Sequence, residues 1–337
     1  MKDNVVNFYF FRTEAEAICS ALITNNKKDE ANYLISYKQQ AFDTAKYFCS
    51  SRNIYLFHLK ASNYIARTRE IKEQINFVKS RIPSLNTQIK LHISNCGTNT
   101  GYIIDALIRE NRKVAINLFP HGLSEEGFKK LSFSKIIRLK IKKYGRIIFG
   151  ISFYDVFSDI KGYTSPLIEK IYIFPGFENK VETYHKLVEI VPTNNHPKPP
   201  SIIKNRMLVI GQRTIDCHLH NQDIDNIINK IIELSKNYNM DGVDYVVHPR
   251  AKRKWFLFHH TFNQVSSNRS AEILALSEGY RVVVSFSSTS LLFIRLLNPD
   301  EKLTVLSVGL NKVRFPDKFI LIKKLMKLAG VKLINID

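Results

Sequence analysis

Residues 191–201 read Val191-Pro192-Thr193-Asn194-Asn195-His196-Pro197-Lys198-Pro199-Pro200-Ser201, and this stretch divides the chain. Four of the 11 prolines fall in it. Proline fixes φ and lacks an N–H, so such a run suits neither a helix interior nor a central strand. It predicts an extended linker over 192–205, between a domain over 1–191 and a domain over 206–337. A chain of 337 residues is long enough for two domains.

Working outward, the same alternation runs on both sides of the break. Before it, strand-length apolar segments at 5–11, 34–37, 54–59, 89–94 and 113–119 alternate with helical patterns at 14–24, 41–50, 65–82 and 98–109. After it, strands are expected at 206–210, 243–247, 281–285 and 303–308, with helices at 224–237, 271–277 and 291–297. Asp317 is the expected N-cap of a terminal helix running to Leu328. Strand–helix alternation of this kind predicts an α/β fold with parallel sheets covered by helices.

Composition narrows the function classes. Hydrophobic residues at 45% exclude a disordered chain. No run approaches the roughly 18 apolar residues of a membrane-spanning helix, and no signal-peptide pattern is clear. Cys19, Cys49, Cys96 and Cys217 are scattered, which points away from a zinc cluster or a disulfide framework and toward a reducing cytoplasm. Lys+Arg 50 against Asp+Glu 30 gives +20, which calls for polyanionic company. That company is nucleic acid, an anionic membrane face or a phosphorylated small molecule.

The polar motifs stand where strands are expected to end, the place where open α/β sheets bind ligands. His248-Pro249-Arg250 follows a Tyr-Val-Val run: the imidazole can donate to a phosphate or protonate a leaving group, and Arg250 adds permanent charge. Ser287-Ser288-Thr289-Ser290 follows Val-Val-Val-Ser-Phe and precedes a helix, so its hydroxyls and free N–H groups form an anion site. Ordinary N-capping uses the same residues. Gly211-Gln212 ends the first strand after the linker. Glu272, on the helix between the two motifs, could accept both hydroxyls of a ribose or simply face solvent. Before the linker, Pro120-His121-Gly122 follows a strand, with Glu125 and Glu126 just beyond as further proton acceptors. No GxGxxG follows the first strand and no GxxxxGK[ST] occurs, which disfavours dinucleotide and Walker-type sites. No HExxH or Asp-rich metal motif occurs, so no metal is expected.

The His-Pro strand end, the later Ser-Ser-Thr and the intervening Glu272 together resemble bacterial sialyltransferases. The nearest groups are the lipooligosaccharide sialyltransferases and the capsular polysialyltransferases. The resemblance spans the chain through short motifs, and Phe11-Arg12-Thr13 is similar to the family's first strand end. It implies a GT-B fold, two Rossmann-like domains with parallel sheets facing a central cleft. It implies transfer of sialic acid from CMP-sialic acid to a bacterial surface glycan, with inversion and without metal or other cofactor. His248 would contact the CMP phosphate and act as general acid, with Pro249 and Arg250 beside it. Ser287, Ser288 and Thr289 would bind the phosphate, Glu272 the ribose, and Gly211-Gln212 would form the donor-side loop. Closure about the linker would exclude water.

The family's N-domain motif usually carries an acidic pair or an Asp before a glycine, and here the strand end reads Pro120-His121-Gly122. Glu125-Glu126-Gly127 matches the letters but lies farther along. Either His121 is the general base, or Glu125 or Glu126 reaches in, or the donor or acceptor differs. A related GT-B enzyme using another activated acidic sugar or a polyol-phosphate donor is the alternative. A basic nucleic-acid-binding protein is the third, and it lacks a recognisable binding module.

The basic excess also has a location. Over 135–146 lysines and arginines surround a helical face of Phe133, Ile137, Ile141, Tyr144 and Ile148, the composition of an interfacial membrane helix. A helix packed on its own sheet with a solvated basic face has the same composition. The expected partners are thus a nucleotide-sugar donor, a glycan or glycolipid acceptor and an anionic membrane surface, with no nucleic acid. The expected place is the inner face of the cytoplasmic membrane.

Overall fold

The computed structural model describes residues 5–57, 63–94, 98–120, 137, 141, 144–154, 166–173, 187–190, 204–212, 218–248, 262–265, 269–300 and 302–337. The chain forms two compact units, Met1–Asn195 and His196–Asp337. The proline-rich run lies outside the described residues. Lys204 and Asn205, expected in the linker, instead open a strand, because their backbone pairs with the neighbouring chain at Tyr280 and beyond.

The first unit holds β1 (Val5–Phe11), α1 (Glu14–Asn25), β2 (Ala31–Ser36), α2 (Gln39–Phe48), β3 (Ile54–Leu56), α3 (Tyr64–Ser80), β4 (Gln88–Ile93), α4 (Thr98–Arg109), β5 (Lys113–Leu118), β6 (Ile168–Ile173) and β7 (Leu187–Ile190). Its parallel sheet has the order β3-β2-β1-β4-β5-β6-β7. β1 lies inside the sheet and its Val6 to Phe11 are all buried, which is why it reads as an apolar and aromatic run, interrupted only by Asn7, rather than an alternation. β6 and β7 were not expected from the sequence pattern, and β3 ends earlier than the 54–59 expected.

α1 begins with a capping box. Thr13 Oγ1 accepts from the Glu16 N–H at 3.3 Å, while Glu16 Oε2 accepts from the Thr13 N–H at 3.1 Å. The middle of the sheet carries a buried polar row. Tyr9 pairs in register with His92, and His92 with Asn117. The Tyr9 and His92 rings stack at 4.1 Å, and His92 Nε2 lies 3.0 Å from Asn7 Oδ1. Asn7 Nδ2 donates to Glu30 at 2.5 Å.

The segment expected as a basic amphipathic helix is described only in part. Ile137, Ile141 and Tyr144 are helical, and a 3₁₀ turn follows at Gly145–Phe149. Arg146 differs from the expectation of a solvated cation. It is buried, with Nε donating to Thr68 Oγ1 at 3.2 Å and Nη1 to the Tyr102 hydroxyl at 3.1 Å. These hydroxyls and the faces of Tyr64 and Tyr102 replace its water.

The second unit holds β8 (Lys204–Ile210), α5 (Asn221–Asn237), β9 (Val243–Val246), β10 (Phe262–Gln264), α6 (Ala271–Glu278), β11 (Tyr280–Ser285), α7 (Thr289–Leu297), β12 (Thr304–Val308), α8 (Pro316–Leu328) and β13 (Lys332–Ile334). The parallel sheet order is β10-β9-β8-β11-β12-β13. Alternate strand residues Met207, Val209, Val282, Val284, Leu306 and Val308 share one buried cluster with Ile224, Ile227 and Ile231 of α5. The opposite-facing Leu208, Val283 and Val305 are equally buried, so this sheet is covered on both sides. α8 differs from the expectation in two ways. Its N-cap is Phe315, with Pro316 in the first turn, and Asp317 sits one residue further in, where it faces the positive helix end without capping it. It is not terminal either, because β13 follows and adds an edge strand.

Candidate functional site

In each sheet the chain order reverses at one point. In the second unit β8 leads outward to β9 and β10, while β11 leads the other way to β12 and β13. The crevice outside the carboxyl ends of β8 and β11 is therefore the expected ligand position. Three of the sequence-predicted motifs are brought together there.

Gly211-Gln212 follows β8 and Ser287 follows β11. Gln212 Oε1 accepts the Ser287 N–H at 3.2 Å, and Gln212 Nε2 lies 3.2 Å from Ser287 Oγ. Below this pair, Ser285 Oγ donates to the Ile210 carbonyl at 2.7 Å, and Ser307 Oγ donates to the Phe286 carbonyl. The turn after β11 is thus tied to both neighbouring strands.

Gly211 also locks the site to β9. Its N–H donates to the Val246 carbonyl at 2.8 Å. A Cβ on Gly211 would stand 2.7 Å from the Tyr245 hydroxyl, 2.9 Å from the Val246 carbonyl oxygen and 3.0 Å from the His248 backbone nitrogen. Glycine is required by this close approach of two strand ends. The Tyr245 phenol beside it stays neutral, since burial pushes its pKa up to about 12. His248 therefore leaves β9 directly against the Gly211 backbone, and its residue is half-buried.

Ser288 caps α7, its Oγ accepting the Ser290 N–H at 3.2 Å, and Thr289 is the first residue of that helix. Capping does not preclude anion binding at such a position, because a helix start has four N–H groups and one cap hydroxyl satisfies one of them. Glu272 is the second residue of α6, a helix whose cap Ser270 accepts the Ile273 N–H at 3.2 Å. Its side chain is buried rather than solvated. The parallel crossover from β10 to β11 carries the first turn of α6 to the carboxyl side of the sheet, the side of the other motifs. Pro249 and Arg250 lie outside the described residues.

The first unit has its own reversal, between β1 and β4. Glu16 gathers that crevice: Oε2 accepts the Arg12 N–H at 2.6 Å, and Oε1 accepts from Ser94 Oγ at 2.5 Å. The Arg12 guanidinium lies 5.1 Å from the Tyr37 ring centre. Glu16 and Ser94 were not among the expected site residues, although Thr13-x-x-Glu16 carries the capping-box signature. β5 brings the chain to Phe119-Pro120, and His121, Glu125 and Glu126 lie outside the described residues.

No protein-family model and no curated protein matches the chain. Solved structures do. A sialyltransferase GT-B domain from Photobacterium damselae is similar over 98% of this chain and 100% of that one, with TM-score 0.53 at 13% identity. The UDP-GlcNAc 2-epimerase of Methanocaldococcus jannaschii is similar over 97% and 92%, with TM-score 0.52 at 11% identity. Another UDP-N-acetylglucosamine 2-epimerase covers 100% of this chain with 85% of its own, at TM-score 0.53 and 13% identity. Identities this low speak to fold alone.

Proposed function

This chain has the GT-B fold, and we propose that it is a glycosyltransferase that moves sialic acid from CMP-sialic acid to a surface glycan or glycolipid. The observation that carries the reading is the cross-strand pair Gln212–Ser287 at the β8/β11 reversal, with His248 held against Gly211 beside it. His248, Ser287, Ser288 and the start of α7 all follow neighbouring strand ends, and residues of these types supply donors suited to a phosphate, which supports the reading.

In the proposed reaction an N-domain base, His121, Glu125 or Glu126, takes the proton of an acceptor hydroxyl. The oxygen attacks the anomeric carbon opposite CMP, inverting its configuration. His248 donates to the departing phosphate, with Arg250, Ser287, Ser288 and Thr289 holding its charge and Pro249 fixing the turn. Glu272 takes the ribose hydroxyls. These donors do the work a divalent cation does elsewhere, so turnover should persist in a chelator. The enzyme would work at the inner face of the cytoplasmic membrane.

The test follows nucleotide release from CMP-sialic acid, with and without galactosyl acceptors, against UDP-GlcNAc as a second donor. CMP release that depends on acceptor and is nearly abolished by His248→Ala, with circular dichroism unchanged, supports the reading. Turnover of UDP-GlcNAc or of another activated donor in its place would move the chain to a different GT-B activity. Wild-type transfer by His248→Ala would refute the assigned role.

A further inference from the structure

Residues 127–154 contain eight Lys or Arg and no Asp or Glu. Within this segment Ile151 and Phe153 are buried, whereas five large apolar residues before them are exposed. Ile141 is 70% exposed and Ile148 84%, and Ile137, Tyr144 and Ile147 are exposed with them. Isoleucine in water is ordinary singly, but five large apolar side chains within 12 positions are a patch.

The patch is mounted on a rigid base. Arg146, in the 3₁₀ turn between Tyr144 and Ile147, is buried and bonded to Thr68 of α3 and Tyr102 of α4. Its guanidinium lies 4.3 Å from the Tyr64 ring centre, and Phe149 packs near the same ring at 5.8 Å. Gly150, at φ 76°, then closes the turn with its N–H on the Ile147 carbonyl at 2.8 Å. The inward residues of the turn hold it to the domain, and this leaves Ile147 and Ile148 directed away.

We propose that Ile137, Ile141, Tyr144, Ile147 and Ile148 form a docking surface for an anionic phospholipid bilayer. The isoleucines enter the boundary between headgroups and acyl chains, and the basic residues of the same segment supply attraction to lipid phosphates. Charge complementarity selects this occupant. A second copy would set a segment with seven further Lys or Arg besides the buried Arg146, and no acidic residue, against its own like, and a nucleic-acid backbone offers exposed isoleucines nothing to displace water from. The inference deepens the membrane placement above and does not rest on the donor, because the binding is read without nucleotide.

The full chain is sedimented with vesicles of mixed phosphatidylserine and phosphatidylcholine, and with phosphatidylcholine alone. Wild type is expected on the anionic vesicles, with binding weakened by salt. The double variant Ile141→Glu/Ile148→Glu is expected to bind about tenfold more weakly, with an unchanged melting curve because both positions are exposed. Equal binding by variant and wild type, or no preference for anionic vesicles, overturns the proposal. So does a dimer in light scattering, or an RNA complex, that the double variant dissolves.

Discussion

Gln212 and Ser287 stand 75 residues apart in sequence and meet through a reciprocal pair: the serine N–H donates to the carboxamide oxygen at 3.2 Å, and the carboxamide nitrogen lies 3.2 Å from the serine Oγ. The pair sets the spacing between the strand ends of β8 and β11. Gln212→Ala leaves the Ser287 N–H without its acceptor and frees both turns. With net hydrogen bonds worth about 1 kcal/mol each, we expect kcat/KM for the donor to fall about tenfold and Tm to fall by a few degrees. Gln212→Glu should fall further, since it loses the donor and puts a negative charge beside the proposed phosphate position. Donor kinetics equal to wild type in both variants would show that the pair does not shape the site.

Gly211→Ala tests the packing beneath that pair. The new methyl would meet a backbone carbonyl oxygen at 2.9 Å and a backbone nitrogen at 3.0 Å, neither of which can swing aside. We expect the ends of β8 and β9 to separate, with a loss of about 1–3 kcal/mol of stability. Nucleotide affinity, read by calorimetry, should fall with it. Unchanged Tm and affinity would mean the strand ends give without cost.

Arg146→Ala should destabilise the first unit. It leaves the hydroxyls of Thr68 and Tyr102 without their guanidinium partner and opens a cavity under the 3₁₀ turn. A loss of about 2–4 kcal/mol is expected, read from urea unfolding by fluorescence. Were Arg146 an ordinary surface cation, the change would be within about 0.5 kcal/mol.

His92 gives a pH signature. Burial first, and then the charges of Lys27, Lys90 and Lys170, hold its pKa well below the ordinary 6.5. The folded chain therefore keeps His92 neutral while the unfolded chain takes up a proton below about pH 6.5. Above that pH neither state binds the proton and the residue adds no slope. As pH falls below it, stability falls, by up to about 1.4 kcal/mol per pH unit from this one group. His92→Gln should remove that part of the slope, whatever it does to absolute stability. Urea midpoints at about pH 7.5 and about pH 5.5 for both proteins measure the difference, and identical slopes would place a protonated histidine in the folded core.

Much of the architecture was legible because interior parallel strands announce themselves. β1 and α4 have the bounds their patterns predict, and the strand-end motifs lie at the carboxyl ends of β8, β9 and β11. What was not legible lies mostly at sheet edges or depends on distant partners; the interior strand β6 is the exception, its apolar run broken by Glu169 and Lys170. β7, β10 and β13 are edge strands of four, three and three residues, too short for alternation to register. The partnership of Gln212 with Ser287 is a product of strand order, which no local pattern contains. Arg146 read as solvated because its neighbours Lys142 and Lys143 set the local composition, while its partners come from two other helices.

The polar row within the first sheet has a consequence at its mouth. Side chains alternate between faces, so sliding β4 by one residue against β1 would turn His92 to the opposite side and leave Asn7 facing an aliphatic neighbour. An apolar sheet pays far less for such a slide. The Asn7–His92 contact therefore works as a pin, and what it pins is the distance from the end of β1 to the end of β4. At that setting Glu16 reaches the Arg12 N–H and the Ser94 hydroxyl at once.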